Sequence, residues 1–208
     1  MLTTAQTLGF LLAALVLTAT PGPDNLMVLS VGMSQGRKPG IAFGLGCALG
    51  CLSHTLLAVV GVSALVASSP TAFTLLTWAG GAYLVWLGIK ALRHAGAVRL
   101  DAAAGGSPSL KALFFKGLLA NAINPKVVLF FLSFLPQFVV AERGEVGLQM
   151  GLLGLIFTAQ AAVLFGLLGY FSGGIGAWLL RRPRVGPWLD RLAGTVFVAL
   201  GLRMMTSR

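Results

Sequence analysis

Six stretches of this 208-residue chain are each long and apolar enough to cross a lipid bilayer, a pattern no water-facing fold can bury. A helix spanning the ~30 Å hydrocarbon core needs about 20 apolar residues. Such runs extend over Leu8 to Val31, Gly40 to Ala67, Phe73 to Leu92, Ala112 to Val140, Gly147 to Leu180 and Trp188 to Met205. Polar or Gly/Pro segments separate them, from Ser34–Pro39 to Arg181–Pro187. With 57% hydrophobic and 10% charged residues, the solvent for this chain is lipid. The first run lacks the basic residues that precede a secretory signal, so it reads as an uncleaved first helix. The expected fold is an all-α integral membrane protein of six transmembrane helices.

A formal charge of +10 in a soluble protein would suggest a nucleic-acid partner. Here the basic residues form short clusters between apolar runs, with no aromatic-interleaved surface to stack bases, which excludes nucleic acid. The first, third and fifth loops and their flanks carry eleven of the fifteen Lys and Arg, including Arg37, Lys38, Lys90, Arg93, Arg99, Lys111, Arg181 and Arg182. Only Arg143, Arg203 and Arg208 fall on the other side. The positive-inside rule then puts both termini outside the cytoplasm, although Arg203 and Arg208 count against it.

A small-residue linker, Ala102 to Pro108, sits at the middle of the chain and divides it into halves 1–95 and 112–208, joined by a cytoplasmic segment 96–111. The halves match weakly. Gly81 and Gly88 in the third run have the same spacing of seven as Gly194 and Gly201 in the sixth. The first and fourth runs are both interrupted mid-membrane, by Pro21-Gly22-Pro23 and by Asn124-Pro125. Three helices per half make the second half enter from the opposite face, so the chain reads as two inverted three-helix repeats. Broken helices in corresponding positions point to a transporter with its binding site at the breaks.

Each break is costly, because proline removes a backbone hydrogen bond at ~3 kcal/mol or more and the carbonyls it frees need new partners in lipid. Asp24 follows the first break and Lys126 the second, and they are the one acid and one base well inside the spans. An amino acid presents an ammonium for Asp24 and a carboxylate for Lys126; without it the two side chains can neutralise one another. The amides of Val127, Val128 and Leu129, at the start of a half-helix, are candidates to hold the carboxylate. Asn25, Asn121 and Asn124 add neutral hydrogen-bonding groups. The candidate substrate site is therefore Pro21, Gly22, Pro23, Asp24, Asn25, Asn121, Asn124, Pro125 and Lys126, with Asp24 as proton carrier. The rival role for Asp24 is to cap its half-helix.

Cys47, Cys51 and His54 share one face of the second helix at i, i+4 and i+7, a weaker constellation that suits a soft metal ion and a metal-cation exporter. The glycines Gly40, Gly44, Gly46 and Gly50 on the same helix favour reading these cysteines as small packing residues; such faces also permit a homodimer. Adjacent turns of one helix do not offer disulfide geometry. Gln160 reads as polar lining or as an interhelical hydrogen bond. Trp78, Trp178 and Trp188 lie near span ends as interfacial anchors. The remaining Asp, Glu, His and Cys residues form no catalytic spacing, and without a phosphate-binding loop an ion gradient is the energy source. The chain reads as a transporter, with no enzyme activity and no cofactor.

Ala19-Thr20-Pro21-Gly22-Pro23-Asp24, Asn124-Pro125-Lys126 and Gly50-Cys51-Leu52-Ser53-His54-Thr55 resemble the LysE/RhtB family of amino-acid exporters. The likeness covers the whole chain. The resemblance implies efflux of small amino acids across the bacterial inner membrane, driven by the proton-motive force. With Asp24 as the one well-buried acid, neutral cargo is favoured over cationic.

Overall fold

The computed structural model describes residues 2–20, 22–62, 69–93, 108–182 and 184–206. Pro21, Arg99, Arg208 and most of the linker 96–111 lie outside the described residues. Every regular element among those described is helical. Helix α1 (Thr4–Ala19) opens on a capping box: the Gln6 amide donates to Thr3 Oγ1 at 3.2 Å and the Thr3 amide to Gln6 Oε1 at 2.8 Å. Helix α2 (Pro23–Gln35) follows with proline in its first turn, then α3 (Arg37–Leu57), which ends in a π-helical turn over Ala58–Val62. Helix α4 is Pro70–Arg93, and α5 (Leu110–Ala122) starts where Ser109 caps the Ala112 amide. Helix α6 (Pro125–Leu129) runs into a π-helical turn, Phe130–Phe134, and a 3-10 turn, Leu135–Phe138. Helices α7 (Val146–Tyr170), α8 (Ser172–Arg181) and α9 (Val185–Thr206) complete the chain.

Four helices, α3, α4, α7 and α9, are long and apolar enough to cross a membrane. The α1/α2 pair bends by 55°, and α5 and the segment Pro125–Phe138 by 51°, at the expected breaks; counting each bent pair as one broken span brings the candidate spans among the described residues from four to six. Large apolar side chains face outward, with Leu12 65%, Leu75 65% and Ile123 79% exposed, which only a lipid environment makes favourable. The protein is an all-α, multi-pass membrane protein. One boundary differs from the sequence reading: the fifth span ends at Tyr170, not near Leu180. Its 25 residues already exceed the length a crossing requires. Ser172 Oγ donates to Gly169 O at 2.8 Å across the turn, and the glycine-rich α8 starts separately, packed on α2.

Glycines set the packing. Helix α3 lies against both α5 and α7: Gly46 abuts Phe114 O, Gly117 abuts Phe43 O, and Gly40 lies against Gly169. The glycine face of α3 is thus used within the chain. Helices α4 and α9 cross antiparallel through the glycines singled out from spacing. A methyl on Gly88 would lie 2.6 Å from Gly194 O, and one on Gly201 2.5 Å from Gly81 O. Gly81 therefore meets Gly201, and Gly88 meets Gly194, a reciprocal pairing of the two glycine pairs.

Gly194→Leu is expected to lower the melting temperature of the detergent-solubilised protein, because overpacking costs ~1–3 kcal/mol. Gly174→Leu, with nothing within 4 Å of the new side chain's first carbon, is expected to leave it nearly unchanged. Tryptophan fluorescence during heating reads both.

Candidate functional site at the paired helix breaks

In an unbroken helix the carbonyl of residue i accepts the amide of residue i+4. Leu17 faces Pro21 in that register and Asn121 faces Pro125, and neither proline has an amide hydrogen to give. The structure supplies substitutes from across the molecule. Lys126 Nζ donates to Leu17 O at 3.0 Å and to Thr20 O at 3.2 Å, so the base from the second break completes the end of α1. Asn25 Nδ2 donates to Thr18 O at 2.8 Å. At the second break Asn121 O accepts the Asn124 amide at 2.8 Å and contacts His54 Nε2 at 3.0 Å. A carbonyl only accepts, so Nε2 carries a proton, and in the neutral ring His54 Nδ1 is an acceptor; it is buried and without a partner.

Asp24, 5% exposed in the first turn of α2, accepts from Asn121 Nδ2 through Oδ2 at 2.7 Å, while its Oδ1 is buried with no partner. Cys51 Sγ donates to Asn121 Oδ1 at 3.4 Å. Asn121 thereby ties α2, α3 and α5 together through its two side-chain polar atoms and its carbonyl. Lys126 Nζ also lies 5.1 Å from the centre of the Phe197 ring, which brings α9 to the site.

Three expectations change. Asp24 and Lys126 do not neutralise each other directly; each is held by neutral groups. Asp24 is not a helix cap, since Gly22 occupies the N-cap position and no side chain caps α2. The amides at the start of α6 are already engaged: Lys126 N donates to Asn124 Oδ1 at 3.0 Å, and Val127 N and Val128 N donate to Asn124 O at 3.1 and 3.0 Å. Asn124, the residue before the proline, can curl back onto these donors, which leaves a ligand none of them.

Gly22, Pro23, Asp24, Asn25, Asn121, Asn124 and Lys126 all line one small cavity. Pro125 forms the first turn of α6 beside it, and Pro21 lies outside the described residues. The cavity also takes in Leu17, Thr18, Cys51 and Phe157, which sequence reasoning did not place there. Leu17 was recoverable, standing four residues before Pro21; Thr18 and Phe157 carry no sequence signal. Gln160 makes an interhelical bond, donating from Nε2 to Thr18 Oγ1 at 2.8 Å, and its buried Oε1 has no partner. The cavity measures about 20 Å³, room for a water and not for an amino acid, so the walls must part to admit one. Cys51 and His54 both engage Asn121. Among the described residues no group of three His, Cys, Asp or Glu is placed to hold a metal ion, so the geometry gives the metal-exporter reading no support.

The LysE type translocator family model matches residues 15–208. The chain belongs to this family. It is 33% identical to an uncharacterized membrane protein of Vibrio cholerae, over 97% of both chains. It is 29% identical to a homoserine/homoserine lactone efflux protein of Salmonella typhimurium, over 96% of both chains. A leucine efflux protein of an Enterobacter species is 27% identical, over 94% of this chain and 92% of its own. No solved structure matches. The family is one of transporters.

His54→Phe removes a donor from a carbonyl in the membrane interior and is expected to destabilise this translocator by ~1–3 kcal/mol. His54→Gln keeps a donor on a side chain of similar reach and is expected to restore most of the loss. Melting of the purified protein in detergent compares them.

Proposed function

We propose that this translocator exports amino acids, neutral ones in preference to cationic, as a secondary transporter that exchanges them for protons at Asp24. The observation that carries the reading is a site with buried acceptors and no donor to match them. Asp24 Oδ1, Gln160 Oε1 and His54 Nδ1 are unpartnered on side chains that line the cavity or bond to its lining residues. The lysine of the same cavity is turned away onto backbone carbonyls. A substrate ammonium supplies donors to the first set. Its carboxylate draws Lys126 from Leu17 O and Thr20 O, and withdrawing that lysine unties α1 from α6. Substrate binding then loosens the contact that holds the two breaks together, which couples occupancy to movement.

A proton and a substrate ammonium compete for the same Asp24 oxygen, and exclusive occupancy of one group by either is the elementary requirement of antiport. One acid in the site balances one ammonium and leaves nothing for a second cationic group, which favours neutral cargo. The relatives named for homoserine and leucine efflux support that choice. The reciprocal glycine contacts of α4 and α9 support two inverted repeats, 1–95 and 112–208, joined by the linker 96–111, as the moving units. The basic helix ends at Arg37, Lys38, Lys90, Arg93, Arg181 and Arg182 face the cytoplasm of a bacterial inner membrane, with both termini on the other side.

Cells loaded with dipeptides and expressing the native chain are expected to release particular neutral amino acids, read by mass spectrometry, in a manner abolished by a proton uncoupler. Lys126→Met and Asp24→Asn each remove a buried charge whose hydrogen bonds to neutral groups are worth ~1.5–3 kcal/mol, so export should fall by about tenfold or more in both. Native protein that reaches the membrane without releasing any amino acid, or release that persists in both variants, would overturn the proposal.

A further inference from the structure

The break cavity is closed toward one end of the molecule by phenylalanine. Phe157, in the cavity wall, has its ring centre 5.4 Å from that of Phe130; Phe130 lies 4.9 Å from Phe134, and Phe134 5.2 Å from Phe138. Phe10 of α1 closes the side of this column, 5.4 Å from Phe138 and 6.5 Å from Phe157. Beyond the column opens a cleft of about 660 Å³, and Phe134 and Phe138 form part of its wall. Trp78, Gln137 and Arg203 are also in its lining, so indole, amide and guanidinium groups share the cleft with the end of the column.

We propose that this phenylalanine column is the gate between the break cavity and the cleft, and that a zwitterionic solute leaves through it. The inference rests on the transport reading above. Three further features support it. The gate segment is irregular: Phe130–Phe134 is π-helical and Leu135–Phe138 is 3-10, forms that often mark functional sites and hinges. A polar clasp holds the segment shut. Gln6 Nε2 donates to Phe138 O at 2.7 Å, and Gln149, 1% exposed, grips the chain just beyond, accepting from Val140 N at 3.1 Å and donating to Val140 O at 3.0 Å. Finally, the gate lies on the same broken span as Lys126. When the carboxylate draws Lys126 off Leu17 and Thr20, α6 loses its tie to α1, and Phe10 on α1 loses its fixed place against Phe138.

The test uses the full chain with Cys47→Ser and Cys51→Ser and one cysteine introduced in the cavity wall, Thr18→Cys. A membrane-impermeant maleimide is applied from each face, in intact cells and in inverted vesicles. Gln149→Ala, which cuts the clasp, and Phe138→Leu, which thins the column, are each expected to raise labelling from the N-terminal face about tenfold, the change a loss of ~1.4 kcal/mol gives. Labelling from the basic face should not change. An unchanged rate from the N-terminal face in both variants, or an equal rise from both faces, would overturn the gate. The readout needs no knowledge of the cargo, so an error in the amino-acid assignment leaves it standing and is detected separately by the release assay.

Discussion

A proline within a membrane helix withdraws a hydrogen-bond donor where lipid offers no replacement, and the carbonyl left behind must be met by another part of the protein. This chain places prolines at Pro21, Pro23 and Pro125, and much of its interior architecture answers the consequences. Lys126 completes the end of α1, Asn25 meets Thr18 O, and His54 meets Asn121 O. The partners come largely from the other break or from α3, so neither broken span is satisfied alone. The paired breaks form one structural unit even though about a hundred residues separate them in sequence.

That unit exists because helices approach closely. His54 and Cys51 reach Asn121 only where α3 and α5 pack nearly backbone to backbone. Gly50 marks the limit, since a methyl there would lie 2.8 Å from Asn121 Cβ. Gly46 and Gly117 hold the same approach one turn away. The cost of small residues in helices is about 1 kcal/mol for each glycine, offset by the contacts and interhelical hydrogen bonds that the approach allows. The regular part of the fold thus serves the irregular part, bringing donors to carbonyls that the prolines expose.

Much of this was legible in the sequence. Apolar run lengths set the spans, Pro21-Gly22-Pro23 and Asn124-Pro125 set the breaks, and the isolated charges Asp24 and Lys126 marked the residues that line one cavity. What sequence could not give was partnership. Opposite charges in an apolar stretch suggest a direct ion pair, but the preference of an ammonium for two carbonyls at the end of α1, and of a carboxylate for an asparagine amide, depends on where the half-helices end. Asn124 capping its own helix was likewise hidden, because the residue type permits both self-capping and ligand binding. The overlong fifth span had a simpler cause: Gly147 to Leu180 has no charge to interrupt it, and only the turn at Phe171 and Ser172 divides it.

Holding each charge with neutral groups has a consequence for transport. A direct buried pair of Asp24 and Lys126 would give each side chain its best partner already, and breaking such a pair costs ~3–5 kcal/mol because it strands an uncompensated charge. A substrate would have to overcome that before gaining anything. Lys126 resting on Leu17 O and Thr20 O, and Asp24 on Asn121, gives up less when a carboxylate or an ammonium arrives, since a full opposite charge is the stronger partner for both. In the proposed exchange two carbonyls of α1 are left in need of donors, so a loaded site would be stable only if the end of α1 moved to find them. Under that proposal electrostatic gain at the site is converted into displacement of the helix that carries Phe10, and the conversion depends on the two charges not being paired with each other beforehand.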